Sequence, residues 1–329
     1  MPVTGRPPVA LTLTLAVPLV CLAGCGLGPP DAGPARAGRP VALIVEPDAG
    51  PDAIVSLVAA ARTSVWMEMY LLTDARAVAA LVDRARAGCD VRAILEPSPY
   101  MSEGANQSAF DALAAAGARV RWSTPRFSYT HAKTLIVDHA RLAVLTLNLT
   151  GAGLGGNREY AVVDDDAADI AAAEAVFAAD ETGDLAGAAS RVVTSPDASR
   201  ATLTALIEHA AQSLAIEAEE LTDAAIVAAL LAARARGVAV TLVWPGPADA
   251  GAAFAKLAAA GATVRAVADP GIHAKVVVAD TRTLYVGSAN LTPTSLDRNR
   301  ELGLRLDDPD VARRVAATVA DDAARGSAP

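Results

Sequence analysis

The chain has 329 residues, of which 53% are hydrophobic and 20% charged, a balance that supports a large folded core and excludes disordered, collagen-like and coiled-coil chains. Its formal net charge is −9 and only 4% of its residues are aromatic. A surface that grips nucleic acid throughout needs clustered positive charge and stacking rings, so nucleic acid is a disfavoured partner, although one basic cleft on an acidic body remains compatible.

The N-terminus reads as an export signal. Arg6 precedes an apolar stretch from Val9 to Ala23 that contains Pro18, shorter than the roughly 20 residues of a spanning helix. It ends in Leu22-Ala23-Gly24-Cys25, which resembles the lipobox of bacterial lipoproteins. That resemblance implies a signal peptide over 1–24, lipidation of Cys25 as the new N-terminus, and an exported protein anchored to the cell membrane by its lipid; the alternative is ordinary signal cleavage nearby and a secreted protein, and a monomer is expected in either case. Residues 25–40 are rich in Gly, Pro and Ala and read as a tether. Of the three cysteines, Cys21 leaves with the signal and Cys25 is lipidated. Cys89 is left alone, with neither a disulfide partner nor a companion at metal-ligand spacing.

Beyond the tether the chain repeats itself, and two halves are expected at 41–183 and 184–329. The run from Ser64 (SVWMEMYLLTDA) matches that from Ser213 (SLAIEAEELTDA), and HAKTLIVD from His131 matches HAKVVVAD from His273. The second match continues without a gap through Asn148 and Asn290 (NLT) and Asn157 and Asn299 (NRE). In the first half the pattern predicts a helix over 52–62, a strand over 65–72, a helix over 75–87 and a strand over 91–95. The same order recurs over 198–212, 214–221, 224–236 and 238–243. Three consecutive strands then follow in the first half, over 131–137, 141–147 and 160–163. This alternation predicts an α/β fold with helices covering the sheets, built as two similar α/β/α sandwich halves related by a pseudo-two-fold axis. The first half carries the longer loops, at 97–107 and 122–130. The run Asp164-Asp165-Asp166 reads as a turn and helix cap.

The chemistry is concentrated in what repeats. The chain has three lysines and four histidines, and Lys133 and Lys275 occupy equivalent places, as do His131 and His273. On a strand, H-x-K puts imidazole and ammonium on one face, about 6.5–7 Å apart along the chain. Such a pair can flank one phosphate, the ring attacking phosphorus and the ammonium holding a non-bridging oxygen. Asn148 and Asn290 add amide donors, and Glu159 and Glu301 can accept the second ring N–H of a histidine, fixing its tautomer. With two copies face to face, one histidine attacks while the other protonates the leaving oxygen. Lys and Asn supply the electrostatic stabilisation, so no metal or other cofactor is required. His139 and His209 lack a repeat partner and read as surface or packing residues. Glu68 and Glu217, mid-strand in both copies, either border the cleft or face solvent.

His273, Lys275 and Asp280, followed by Gly287-Ser288-Ala289-Asn290, form the H-x-K-x4-D and G-S-x-N signature that identifies the chain as resembling the phospholipase D superfamily. The first copy has His131, Lys133, Asp138 and Asn148 but reads Leu145-Thr146 where the family has Gly-Ser. The resemblance implies a covalent phosphohistidine intermediate with His131 as nucleophile and His273 as general acid. It also implies catalytic roles for Lys133 and Lys275 and phosphate binding by Asn148 and Asn290. Asp138 and Asp280 belong to the catalytic motif but have the opposite strand parity and begin a turn, so they are expected to shape the site from behind. The expected activity is hydrolysis of phospholipids to phosphatidic acid and a free alcohol. The alternatives are a nuclease or other phosphodiester hydrolase, a cardiolipin-synthase-like phosphatidyl transferase and, from another class, a non-catalytic headgroup-binding surface lipoprotein.

Overall fold

The computed structural model describes residues 41–246 and 251–328, together with 1, 2 and 5. The apolar stretch of the expected signal, Cys25 and the tether lie outside the described residues. Contacts separate Met1–Ala37 from Gly38–Pro329, and every element below belongs to the second unit.

The first half runs β1 (Ala42–Glu46), α1 (Asp52–Ala59), β2 (Ser64–Met69), α2 (Ala75–Arg86), β3 (Asp90–Leu95), α3 (Gln107–Ala115), β4 (Arg119–Trp122), β5 (Lys133–Val137), β6 (Arg141–Leu145), α4 (Gly151–Gly155), β7 (Asn157–Asp164) and α5 (Ala167–Thr182). The second runs β8 (Val192–Ser195), α6 (Ser199–His209), β9 (Ser213–Ala218), α7 (Ala224–Ala235), β10 (Ala239–Trp244), α8 (Gly251–Ala259), β11 (Thr263–Ala266), β12 (Gly271–Ile272), β13 (Lys275–Ala279), β14 (Thr283–Gly287), α9 (Pro293–Asp297), β15 (Glu301–Leu306) and α10 (Pro309–Arg325). Their sheets have orders β1-β7-β6-β5-β2-β3-β4 and β11-β10-β9-β13-β14-β15-β8, with β12 pairing to β7 of the other half. β2, β3 and β4 are mutually parallel, whereas β5, β6 and β7 continue antiparallel, as the strand pattern predicts.

Period-two alternation sorts each strand between two cores. Val65, Met67 and Met69 of β2 face a core shared with α1, α2 and α3. Leu214, Ile216 and Ala218 of β9 face the equivalent core under α6, α7 and α8. The other faces of both sheets meet in a central core with α5 and α10, where Ile136, Val144 and Val162 pack with Val276, Val286 and Leu304. The halves are thus joined by apolar packing of the kind that forms a domain interior.

Helix limits follow from side chains that compete for backbone donors. Asp74 and Asp223, equivalent in the repeat, cap α2 and α7 by accepting two amides each. Asp166 caps α5, as expected from the acidic run. The helices predicted to reach Arg62 and Gln212 stop at Ala59 and His209. The amides beyond go to the motif aspartates instead. Asp138 accepts from the amides of Arg62 (2.9 Å), Thr63 (2.7 Å) and Ser64 (3.1 Å), and Asp280 from those of Ala211 (2.9 Å), Gln212 (2.7 Å) and Ser213 (2.9 Å). Burial opposes ionisation of Asp138, but these bonds outweigh it and hold the carboxyl at about 2.

Glu68 and Glu217 neither border a cleft nor face solvent. Both point into the central layer and are wholly buried. Glu68 faces Asp180 of α5, and Glu217 faces Asp322 of α10; burial first, then the neighbouring carboxylate, drives each glutamate well above the usual range. Beside them lie two buried arginines from the repeated Asn-Arg-Glu. Arg158 donates to Asp322 at 2.6 Å, and Arg300 donates to Asp180 at 2.6 Å. Each arginine therefore reaches the closing helix of the other half.

Candidate active site

The short segments that lead into the two histidines decide the geometry. Each pairs with the strand of the opposite half that carries a motif glutamate. His131 N donates to Arg300 O at 2.8 Å, after Ser128 N to Arg298 O at 2.8 Å. In the other direction, Gly271 and Ile272 of β12 pair in parallel with Asn157 and Arg158 of β7. One residue further along each strand stands a glutamate. Glu301 Oε2 lies 2.9 Å from His131 Nδ1, and Glu159 Oε1 lies 2.5 Å from His273 Nδ1. The glutamate of each half thus serves the histidine of the other, which spacing within one half could not reveal. Both carboxylates are fully buried, while the rings keep 11% and 19% of their side-chain surface open. A carboxylate at Nδ1 places N–H there and leaves Nε2 for chemistry.

Lys133 Nζ donates to His131 O at 2.7 Å, and Lys275 Nζ likewise donates to His273 O. Both lysines are buried. Burial is the largest influence on Lys133 and pushes it down to about 7, with Glu301 pulling up and Lys275 pressing down. Burial also lowers His131, against the pull of Glu301. Burial works to raise Glu301, but the charge and hydrogen bond of His131 outweigh it and hold the carboxylate low.

Asn148 and Asn290 follow β6 and β14 as expected. Each is buried, and its Oδ1 finds no hydrogen-bond partner among the described residues. An amide oriented without a protein partner for its oxygen is held by backbone position rather than by its own bonds.

Asp138 and Asp280 stand at the opposite ends of β5 and β13 from the lysines, where their carboxylates bind the turns described above. Their hydrogen bonds go to the turns at the far end of each strand.

The departure at Leu145-Thr146 is compensated. Thr146 Oγ1 accepts from Tyr160 N at 2.9 Å as Ser288 Oγ accepts from Leu302 N at 3.0 Å, so this hydroxyl function persists, and Thr146 Oγ1 also donates to Glu159 Oε2 at 2.5 Å. Gly287 pairs with Gly303 across β14 and β15, and a Cβ on Gly303 would sit 2.7 Å from the Tyr285 ring. The equivalents in the first half are Leu145, Ala161 and Ala143. Leucine and two alanines fill the volume that one tyrosine over two glycines fills in the second half.

Sequence reasoning passed over two features of this site. Glu219, directly after β9, places Oε2 2.8 Å from Lys275 Nζ and 3.5 Å from His273 Nε2. Burial works to raise it, but Lys275 and then His273 outweigh that and hold it below the usual carboxylate range. Its equivalent is Tyr70, whose ring meets His131 edge-on at 4.5 Å. The mismatch within otherwise matching runs was the available signal. The second feature is the pair of arginines in Asn-Arg-Glu, which repeat as faithfully as the glutamates beside them. Among the described residues no group of His, Cys, Asp and Glu is arranged to hold a metal ion, and no helix is long and apolar enough to cross a membrane.

Comparison with known proteins agrees with this arrangement. Polyphosphate kinase from Porphyromonas gingivalis superposes with a TM-score of 0.66 at 16% identity, over 86% of this chain and 50% of that one. The chain thus spans about half the length of that enzyme. Phosphatidylserine synthase from Haemophilus influenzae gives a TM-score of 0.66 at 11% identity, over 87% of this chain and 86% of that one. The phospholipase D family member Nuc from Salmonella typhimurium is 27% identical over 41% of this chain and 94% of its own, with a TM-score of 0.38. No curated protein sequence matches significantly. The family described as "Cardiolipin synthase, PLD-like domain" matches residues 54–181 and 203–322. Two copies of that domain account for most of the chain, which therefore belongs to this family of the phospholipase D superfamily.

Proposed function

We propose that the protein is a phosphodiesterase of the phospholipase D type, cleaving a phospholipid to phosphatidic acid and a free alcohol. The observation that carries this reading is the pair of imidazoles from the two halves, each with Nδ1 against a buried glutamate, gathered with two buried lysines. His131 Nε2 attacks phosphorus, the bond to the leaving oxygen breaks, and His273 gives that oxygen its proton. Water then loses a proton to His273 and attacks phosphorus, and the phosphorus–nitrogen bond breaks to restore both rings. Lys133 and Lys275, with the amides of Asn148 and Asn290, carry the charge on the non-bridging oxygens. An arriving phosphate anion favours the ammonium form of Lys133, which burial chiefly pushes down to about 7.

Phospholipid is favoured over nucleic acid by the net charge of −9 and the low aromatic content. Lipidation of Cys25 would place the exported enzyme beside its substrate. A second reading, transfer of the phosphatidyl group to an alcohol instead of water, is favoured by the synthase description of the matching family.

The test presents purified protein, in chelator, with phosphatidylcholine, phosphatidylglycerol and single-stranded DNA. Phosphatidic acid production with intact DNA supports the reading. DNA cleavage alone overturns it. Added glycerol separates transfer from hydrolysis by the product formed.

A further inference from the structure

The two histidines are matched at Nδ1 and unmatched at Nε2. His273 faces Glu159 from β7 at one ring nitrogen and Glu219, from the end of β9, at the other. Lys275 of β13 lies against the same Glu219 oxygen. A carboxylate therefore faces each ring nitrogen, so Nε2 of His273 has an acceptor toward which an N–H can be directed. His131 is treated differently. Glu301 of β15 occupies its Nδ1, Lys133 and Lys275 bear on it as cations, and Tyr70 stands where the second half has Glu219. The Tyr70 hydroxyl is turned away, accepting from Tyr100 N at 2.6 Å, and burial pushes it up to about 12, so the residue stays neutral. A ring with one carboxylate and one neutral neighbour keeps a lone pair on Nε2.

We propose that Glu219 is a positioning residue that fixes His273 as the proton donor of the site, and that the Tyr70/Glu219 difference between the halves leaves His131 as the nucleophile. This deepens the phosphodiesterase reading and rests on it for the identity of the reaction. By engaging Lys275 as well, Glu219 leaves the first contact with a substrate phosphate to Lys133. The proton that Glu219 holds on His273 Nε2 is the one delivered to the leaving alkoxide, and it returns from water in the second step.

Two measurements test this. Ring-nitrogen NMR of 15N-histidine-labelled protein reads the protonation of His273 directly, with His273→Ala assigning its signals among the four histidines. An N–H on Nε2 of His273, with Nε2 of His131 bare at the same pH, is expected in the unaltered protein. Glu219→Gln should lower the fraction of His273 that carries a proton on Nε2, and Glu219→Asp should restore part of the difference. Turnover is read with two soluble short-chain phosphatidyl esters, one of choline and one of p-nitrophenol, whose leaving group needs no proton. Because general acid catalysis contributes about 10²-fold or more, Glu219→Gln should lose at least ~10-fold more activity on the choline ester than on the nitrophenyl ester. Its rate on the choline ester should also fall off at lower pH. Equal losses on both esters, or identical His273 titrations in the unaltered protein and Glu219→Gln, would overturn the proposal. Failure of the unaltered protein to cleave either ester, with the nitrogen signature present, would remove the phosphodiesterase reading and leave the proton assignment standing.

Discussion

The two halves share a scaffold nearly residue for residue, yet they present unequal chemistry to the place where they meet. The first offers a buried histidine against a neutral tyrosine, with a lysine held down by burial. The second offers a histidine between two carboxylates, with a lysine already engaged by one of them. A duplicated strand order positions two imidazoles symmetrically, and in the proposed mechanism one substitution at an inward-facing position divides attack from proton donation between them.

The largest effect should come from the histidines. Loss of His131 to alanine is expected to abolish both turnover and the trapped phosphoprotein, a fall of at least ~10⁴-fold. His273→Ala should still form the phosphoprotein from a nitrophenyl ester but not from an alkyl ester. Acid quench and phosphoamino-acid detection check both, and a label surviving in His131→Ala would reverse the roles.

The buried clasps between the halves should differ next. Asp322 keeps Arg325 as a second partner when Arg158 is lost, whereas among the described residues Asp180 forms an ion pair with Arg300 and with no second arginine. Breaking a buried pair costs about 3–5 kcal/mol, so Arg300→Met should destabilise more than Arg158→Met in urea unfolding. Equal midpoints would show that the arginines do not carry the junction as unequally as their partners imply.

Packing provides a sharper contrast of about 1–3 kcal/mol. Gly303→Ala puts a methyl against the Tyr285 ring and should destabilise by that amount. Adding Tyr285→Ala and Gly287→Leu recreates the first half's composition and should recover much of the loss. A triple variant no better than the single one would show that the two solutions are not interchangeable.

The smallest effect concerns Glu46, which stands opposite Glu159 in the sheet where the second half has Ser195 opposite Glu301. Burial chiefly raises its carboxyl to about 7 from 4.5. The folded protein therefore binds more protons than the unfolded chain between those values, and stability falls as pH rises through that window. Glu46→Gln should raise the melting temperature at pH 8 by a few degrees while changing little at pH 4.5. An equal change at both would assign the effect to packing instead of charge.

Much of the molecule was legible because local rules and global fold agree. Period-two and helical patterning located the helices and strands of the repeat to within a few residues. The paired H-x-K and Glu spacings picked out the histidines and glutamates that meet across the halves. Asp138 and Asp280 were readable as turn formers from strand parity, and their backbone bonds explain why α1 and α6 end early. Less legible were features in which a side chain finds its partner far away in sequence. Glu68 and Glu217 looked ambiguous because nothing local reveals that Asp180 and Asp322 will cover them.

Sequence by itself determined the duplication, the α/β alternation and the inventory of reactive groups, since these depend on residue order and spacing along single elements. Tertiary structure decided which glutamate serves which histidine, which arginine closes on which helix, and that the Glu219 carboxylate reaches Lys275 and His273. The reason is physical: hydrogen bonds between the lead-in segments and the opposite strands set a register across the two halves, and such a register exists only after both sheets have packed.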